Sequence, residues 1–463
     1  MTSLRSWAGR VAFALALAVL VSGPPALAQP AGLSLADALA ALPASPGWQK
    51  ADLDYRSAAD ALAAADAAAG LQVSAGGSVN RTDTIAGSGG RSGTSAKLSV
   101  TASATVLPWA PADAGIANAR ASLQVAALAR VDARNALVLT LEQQYFAARL
   151  AGTAAAVAQD AADQARAKLE AARAQRAQGQ LSEAGLAQAE AAAANARAAL
   201  AQAQAGRDLA RRALFATLGR PASDVALITP PPQDAGPATA LDQLLAAGIA
   251  QRGDVQTAQI KADQARRSLS TSAAQRWIPS ASIDLGVSGS DATGGQAGLG
   301  VSAGLDFQKG VVSGTASYPL APAGTPVATQ LSIGASVSIP LNAPAASAAV
   351  GSARTAVASA EAALAATRRS AELDIRQRYA AWQAAQATLA ADRASEAAAR
   401  QSLDTAQARL DAGLATTLDV GDARLAYRQA QRAVESDRNT RYLALLQLRN
   451  ALGELKAPPG GPS

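Results

Sequence analysis

Neither cysteine nor histidine occurs among the 463 residues. The first absence excludes disulfides, zinc–thiolate sites and thiol nucleophiles. The second removes the commonest general base and the commonest metal ligand. Ser, Asp, Glu and Lys remain, but nothing groups them at catalytic spacing, so no enzyme, metal or cofactor is expected. Aromatics are scarce, at 3%. Basic residues alternate with acids along the chain instead of clustering, which argues against nucleic acid as a partner. Beyond residue 28 there is no run of roughly 18 apolar residues, hence no transmembrane helix. Any membrane span must then be a β-barrel.

What is present begins with an export signal. Arg5 and Arg10 precede an apolar run from Val11 to Val21, followed by Gly23, Pro24, Pro25 and the small-residue site Ala26-Leu27-Ala28. This is the pattern of a cleaved signal peptide over 1–28. The run is short for an uncleaved anchor, and prolines follow it. Gln29 after the site excludes a lipid-bearing N-terminal cysteine. Losing Arg5 and Arg10 leaves 39 of 41 basic residues against 35 acids, a net charge of +4. A secreted chain without disulfides depends on burial and assembly for its stability.

The mature chain reads as two copies of one unit. Leu98, Val100, Ala102, Val106 and Pro111 match Leu331, Ile333, Ala335, Ile339 and Pro344 at an offset of 233. Leu141, Tyr145, Gly179 and Leu218-Gly219 match Ile375, Tyr379, Gly413 and Leu452-Gly453 at 234. Two units are too few for a solenoid and suit a closed ring with internal pseudo-symmetry. The spacing predicts repeat 1 over 29–219: a helix 33–69 broken at Pro43 and Pro46, a strand hairpin 71–107, and a helical hairpin 112–219 turning near 179. A Pro-rich linker, 220–239, leads to repeat 2 over 240–453. There the expectation is a helix 240–275, strands within 281–340, and a helical hairpin 346–453 turning near 413. The tail 454–463 is expected to be disordered.

The strands are expected from period-two alternation, as in Leu71, Val73, Ala75, Val79 and Ala96, Leu98, Val100, Ala102, Ala104, Val106. Ser, Thr, Lys and Asn fill the intervening positions, which gives one apolar and one polar face. A Gly/Ser-rich loop, 81–93, joins them. From Ala112 to Gln178 there is no Pro, and Gly occurs only at 115 and 152. Such a helix would be roughly 100 Å long. Most of its seam positions are Ala, so it must lie close against other helices in a broad wall. Gly47 matches Gly253 at an offset of only 206, so repeat 2 carries 27 extra residues before its last strand, enough for one more hairpin around 299–320.

Four to six strands cannot close a barrel in lipid, which needs about eight, and an open edge there has no partners. Strands must be pooled between chains; three chains would supply about 12, or about 18 if the extra hairpin joins the wall. The stretch 412–453 resembles the second hairpin tip of the TolC family of outer-membrane efflux proteins. It has a turn Gly413, then Thr416-Thr417 and Asp419-Val420-Gly421-Asp422, then a helix ending in Ala451-Leu452-Gly453. The strand-to-helix entry at 98–120 is a looser match, and the repeat topology extends the resemblance over nearly the whole mature chain. The resemblance implies a mixed, mainly α, two-repeat outer-membrane factor fold: a homotrimer whose β-barrel, four to six strands per chain, continues into a long periplasmic α-helical barrel. It implies an outer-membrane exit duct, in contact with outer-membrane lipid, that docks on a periplasmic adaptor and on an inner-membrane pump or ABC transporter. A coiled-coil scaffold or adhesin stalk is the alternative, and it does not account for matched strand hairpins.

On the resemblance, Asp419 and Asp422 line the constricted tip, where threefold symmetry would stack carboxylate rings that favour cations. Alternatively they are capping acids at the start of the return helix. The family's Arg–Asp latch has no counterpart, since its positions fall on Ala415 and Gly185. Gly179, Leu181, Gly413 and Leu414 are candidates for adaptor docking, although Leu181 and Leu414 could equally staple their own hairpins. Trp109 and Trp277 sit where strands meet helices, at the depth of an aromatic girdle or simply packed into a corner.

Overall fold

The computed structural model describes residues 32–82, 93–107, 110–233, 236, 240–290, 298–320, 328–338 and 344–455. The signal segment 1–28, Trp109, most of the loop 81–93 and the tail beyond Leu455 lie outside the described residues.

The chain opens with α1 (Leu35–Ala41), a 3₁₀ turn (Leu42–Ala44) and α2 (Pro46–Ala69). Ser45 caps α2 at the Trp48 N–H and Pro46 occupies its first position, a pairing that starts a helix and cannot continue one. After strands β1 (Gln72–Thr82) and β2 (Gly93–Thr105) comes the helical hairpin α3 (Pro111–Ala177) and α4 (Glu183–Thr217). The second half has α5 (Leu241–Gln251), α6 (Gly253–Gln275), β3 (Ser280–Ser290), β4 (Gly300–Asp306), β5 (Val311–Pro319) and β6 (Ala328–Ser338). It closes with the hairpin α7 (Pro344–Asp411) and α8 (Thr417–Ala451).

Where the alternation-free stretch 240–275 suggests one helix, the structure breaks it at Arg252, whose backbone is extended. No proline marks the break. The Arg252 guanidinium donates to Asp254 (2.8 Å), to Asp374 on α7 (2.7 Å) and to the Ala451 carbonyl ending α8 (3.3 Å), which pins the bend to its neighbours. Arg252 falls at the offset of 206 from Pro46, so both halves bend at one place by different chemistry.

The buried core gathers where the first helix of each half meets the long hairpins. Leu35, Leu42, Trp48, Leu141, Tyr145, Phe146, Leu214 and Leu218 form one cluster, and Leu244, Leu245, Ile375, Leu448 and Leu452 the other. Leu141, Leu214 and Leu218 correspond to Ile375, Leu448 and Leu452 at 234, so the internal repeat is a repeat of core positions. Farther along α3 the buried positions recur every seventh residue as Leu141, Ala148, Ala155, Ala162 and Leu169. A sustained seven-residue period winds helices left-handedly, and Ala at the seam brings their backbones close. Each Ala buries little area, so the large apolar side chains midway along α3 and α7 hold most of the burial energy, about 1.5–3 kcal/mol apiece.

Tyr145 fastens the segment between the halves to this core. Its hydroxyl donates to the Leu33 carbonyl (2.8 Å) and accepts the Thr229 N–H (3.0 Å), beside a parallel bridge from Leu33 to Leu227. Tyr145→Phe leaves both backbone groups without that partner. The expected cost is about 1–3 kcal/mol, read as an earlier thermal unfolding midpoint; an unchanged midpoint contradicts this role.

Candidate functional site

Two regions carry features that folding alone does not require: the sheet and the far ends of the helical hairpins. The six strands form one antiparallel sheet in the order β1-β2-β5-β4-β3-β6. The hairpin β4–β5 therefore stands inside the sheet, between β2 and β3. Its turn is held to the end of β2, where the Val106 N–H donates to the Gly310 carbonyl (2.9 Å). Gly310 has φ +66°, and a Cβ there would meet Leu107 and Ala110 at 3.0 Å.

Strand register keeps the two faces separate across the whole sheet. Ala75 pairs with Val100, Val100 with Ala316, Ala316 with Val301, Val301 with Val287, and Val287 with Leu331. A one-residue slip at any pairing would mix the faces. The apolar side chains are left uncovered, Ile333 at 74% exposure, and so are Val73, Leu285 and Val337. A continuous apolar surface of this kind needs a partner or lipid against it. Opposite it lies a hydroxyl face. Thr101 meets Thr315 (3.1 Å), Ser282 meets Ser336 (2.9 Å), and Ser99 and Ser332 donate to the Gly76 and Gly286 carbonyls.

Trp277 follows α6 and is 79% exposed, with the Arg276 guanidinium 5.3 Å from its ring. It stands at the helix-side rim of the sheet. Tyr318, exposed near the opposite end of β5, pairs with Leu98, which in turn pairs with Gly77 midway along β1. No described helix is long and apolar enough to cross a membrane.

At the helical ends, Gly179 and Gly413 both take left-handed backbone (φ +73° and +74°) and close α3 and α7. The Gln180 N–H returns to the Gln175 carbonyl, and the Leu414 N–H to Arg409, so the helix-terminal carbonyls are paired. The two leucines differ. Leu181 folds back over Gly185, where its side chain leaves no room for a Cβ. Leu414 is 72% exposed.

The two aspartates also separate. Asp419 closes a capping box: its carboxylate accepts the Thr416 N–H (2.7 Å) while the Thr416 hydroxyl accepts the Asp419 N–H (3.2 Å). The Thr416 N–H, then the Thr416 hydroxyl, holds its carboxyl below the ordinary aspartate range. Asp422 points across to the other hairpin, 2.6 Å from the Lys168 ammonium and 3.1 Å from the Gln164 amide, which also reaches the Leu418 carbonyl (2.8 Å). Gly421 lets Gln164 approach this closely. Beside Gly185 is a groove of about 400 Å³ lined by Gln164, Lys168 and Asp422.

This tie is the last rung of a polar seam between antiparallel α3 and α8. Above it stand Asp160–Arg428 (3.9 Å), Arg149–Glu435 (3.0 Å) and Glu142–Tyr442 (2.7 Å), with Asn135 and Asn439 buried between the helices. Asn135, Glu142 and Arg149 are seven apart, a spacing in the sequence that could have revealed the seam. Among the described residues no cluster of His, Cys, Asp or Glu could hold a metal ion.

Residues 293–454 match the family model described as outer membrane efflux protein. No curated protein matches the chain. Among solved structures it is similar to the outer membrane protein VceC of Vibrio cholerae, 20% identical, with 90% of this chain and 96% of that one covered and a TM-score of 0.64. It is similar also to the CmeC outer membrane channel of Campylobacter jejuni (16% identical; 92% and 86% covered; TM-score 0.67). The open-state MtrE outer membrane channel of Neisseria gonorrhoeae gives 21% identity, 91% and 90% coverage and a TM-score of 0.65. The resemblance to TolC-family outer-membrane efflux proteins stands. At these identities the structures establish a shared fold, a strand wall continued by long helices, over nearly the whole described chain.

Burial pushes the Glu142 carboxyl up, against the smaller opposing effect of the Tyr442 hydroxyl bond. With its folded-state pKa raised, Glu142 costs stability as pH climbs past the unfolded carboxylate range of about 4.3. Glu142→Gln keeps an acceptor for Tyr442 and removes the buried charge. It should raise the unfolding midpoint at neutral pH and match the parent below about pH 4. A midpoint lowered at neutral pH would show that the ionised carboxylate is needed.

Proposed function

We propose that the chain is the outer-membrane exit duct of a tripartite efflux or type I secretion system, passively conducting small molecules or proteins, and not an enzyme. One observation carries the reading: a six-stranded sheet, apolar on one face and hydroxylated on the other, stands at one end of two helices about 100 Å long. Lipid accounts for the uncovered face, and water for the other. Three copies pool their strands into a barrel in the outer membrane, and the helices extend into the periplasm. Trp277 then sits at the helix-side membrane interface, as amphipathic rings do. An adaptor and an inner-membrane pump or ABC transporter complete the assembly. The fold match and the efflux-family match over residues 293–454 support the same reading. A scaffold or stalk would have no use for a sheet whose two faces are so sorted.

At the far end, Gly179, Gly413 and Leu414 form the surface offered to the adaptor, Leu414 being the exposed apolar knob. Leu181 shapes its own turn. Asp419 and Asp422 ring the narrowed tip, with Lys168 partly neutralising Asp422 and tying the hairpins together in place of the missing latch.

In planar bilayers the purified protein should conduct with a preference for cations. Asp419→Ala and Asp422→Ala should each weaken that preference, and Lys168→Ala, by removing a positive charge, should strengthen it. Preference unmoved in all three variants places the acids off the conduction path. Absence of any current, together with release of the protein from membranes by carbonate, overturns the duct itself.

A further inference from the structure

Among the described strands, β1 pairs only with β2 and β6 only with β3, so the two stand at the outer edges of the sheet, and each runs 11 residues. Their senses are opposite, because every neighbouring pair in the six-stranded order is antiparallel. Both expose apolar side chains on the same face: Val73 and Val79 on β1, Leu331, Ile333 and Val337 on β6. A β6 edge can therefore continue into the β1 edge of an identical chain without reversing direction or mixing faces. Unpaired backbone groups in lipid cost several kcal/mol each, so neither edge can stay open there.

We propose that β6 of one copy pairs with β1 of the next, and that three copies close a single wall of eighteen strands, six from each. The inference rests on the trimeric duct reading and adds the number of strands and the width of the pore. The inserted hairpin β4–β5 is an integral third of each chain's wall. Strands about 4.8 Å apart and tilted by about 40° take up about 6 Å of circumference each, giving a backbone radius of about 18 Å, against about 12 Å for twelve strands.

The helical part of the same chain favours the wider wall. Next to the strands, four helices per copy stand side by side in the order α2-α3-α6-α7. Twelve helices spaced by about 8–10 Å form a ring with a radius of about 15–19 Å. Eighteen strands continue that ring with little taper, whereas twelve would narrow it. The face turned inward is small and smooth. Among its described side chains only Lys97, Asp284 and Asp306 are charged, and the rest are chiefly Ser, Thr and Gly. Such a wall sorts cargo weakly by charge and admits bulky hydrated solutes, which leaves selection to the helical tip.

The absence of native cysteine allows a direct test. Ala316→Cys, in the inserted hairpin, and Ala335→Cys, on β6, both lie on the apolar face and can carry nitroxides pointing away from the lumen. In the full-length protein in lipid bilayers, pulsed electron paramagnetic resonance should give one distance between copies, the same at both sites. Three points on a ring of this radius are about 30 Å apart at the backbone, against about 20 Å for twelve strands. Equal distances near the larger value are the expected result. Equal values near the smaller one, or a distance at Ala316 unlike that at Ala335, overturn the eighteen-strand wall and leave the duct intact. No distance between copies at either site overturns the trimer, and the wall with it.

Discussion

Backbone hydrogen bonding at the edge of a sheet is the constraint from which the rest of this architecture follows. A strand edge in water can bind solvent, but an edge in lipid must find another strand. The chain supplies six strands with one face apolar and two ends unmatched. On the proposed duct reading, assembly is then a condition of membrane insertion. The seven-residue recurrence of alanine along α3 fits the same logic. Small seam residues make a thin, regular helical wall with little core of its own, so the hairpins too depend on neighbours.

The seam between α3 and α8 is carried by a ladder of polar pairs, Glu142–Tyr442, Arg149–Glu435, Asp160–Arg428 and Lys168–Asp422. Beyond the buried Glu142–Tyr442 hydrogen bond these are partly exposed ion pairs, which hold register at small net gain in energy, on the order of 0–1 kcal/mol each. The large apolar clusters around Leu141 and Ile375 lie about midway along α3 and α7, where α4 and α8 end, and hold each hairpin at the end opposite its turn at Gly179 or Gly413. Apolar anchorage at mid-length and polar, replaceable contacts toward the turns agree with the proposal that the tips dock on a partner.

The strands were legible in the sequence because a half-buried sheet writes its faces at period two. Leu98, Val100 and Ala102 declare their side without reference to any partner. The offset change from 206 to 233 likewise revealed an added hairpin. Its position between β2 and β3 was not legible, because pairing between strands far apart in sequence depends on the whole sheet. The break at Arg252 was missed for a similar reason: its cause lies on α7 and α8, no proline marks it, and Gly253 beside it does not by itself end a helix. Leu181 and Leu414 look alike beside their turn glycines, yet Gly185 gives one a place to fold and nothing comparable covers the other. Asp419 and Asp422 looked equivalent too, and only the structure shows one capping its own helix while the other crosses to Lys168.

The hairpin tips and the strand wall thus answer to different physics, local capping in one and closure between copies in the other. Closure is the central claim. Its most direct measurement is hydrogen–deuterium exchange of the full-length protein in lipid bilayers, resolved to the β1 and β6 amides on the side away from β2 and β3. Protection equal to that of the central strands β4 and β5 is the result expected of edges joined between copies. Exchange at the rate of open, solvated strand edges would contradict it.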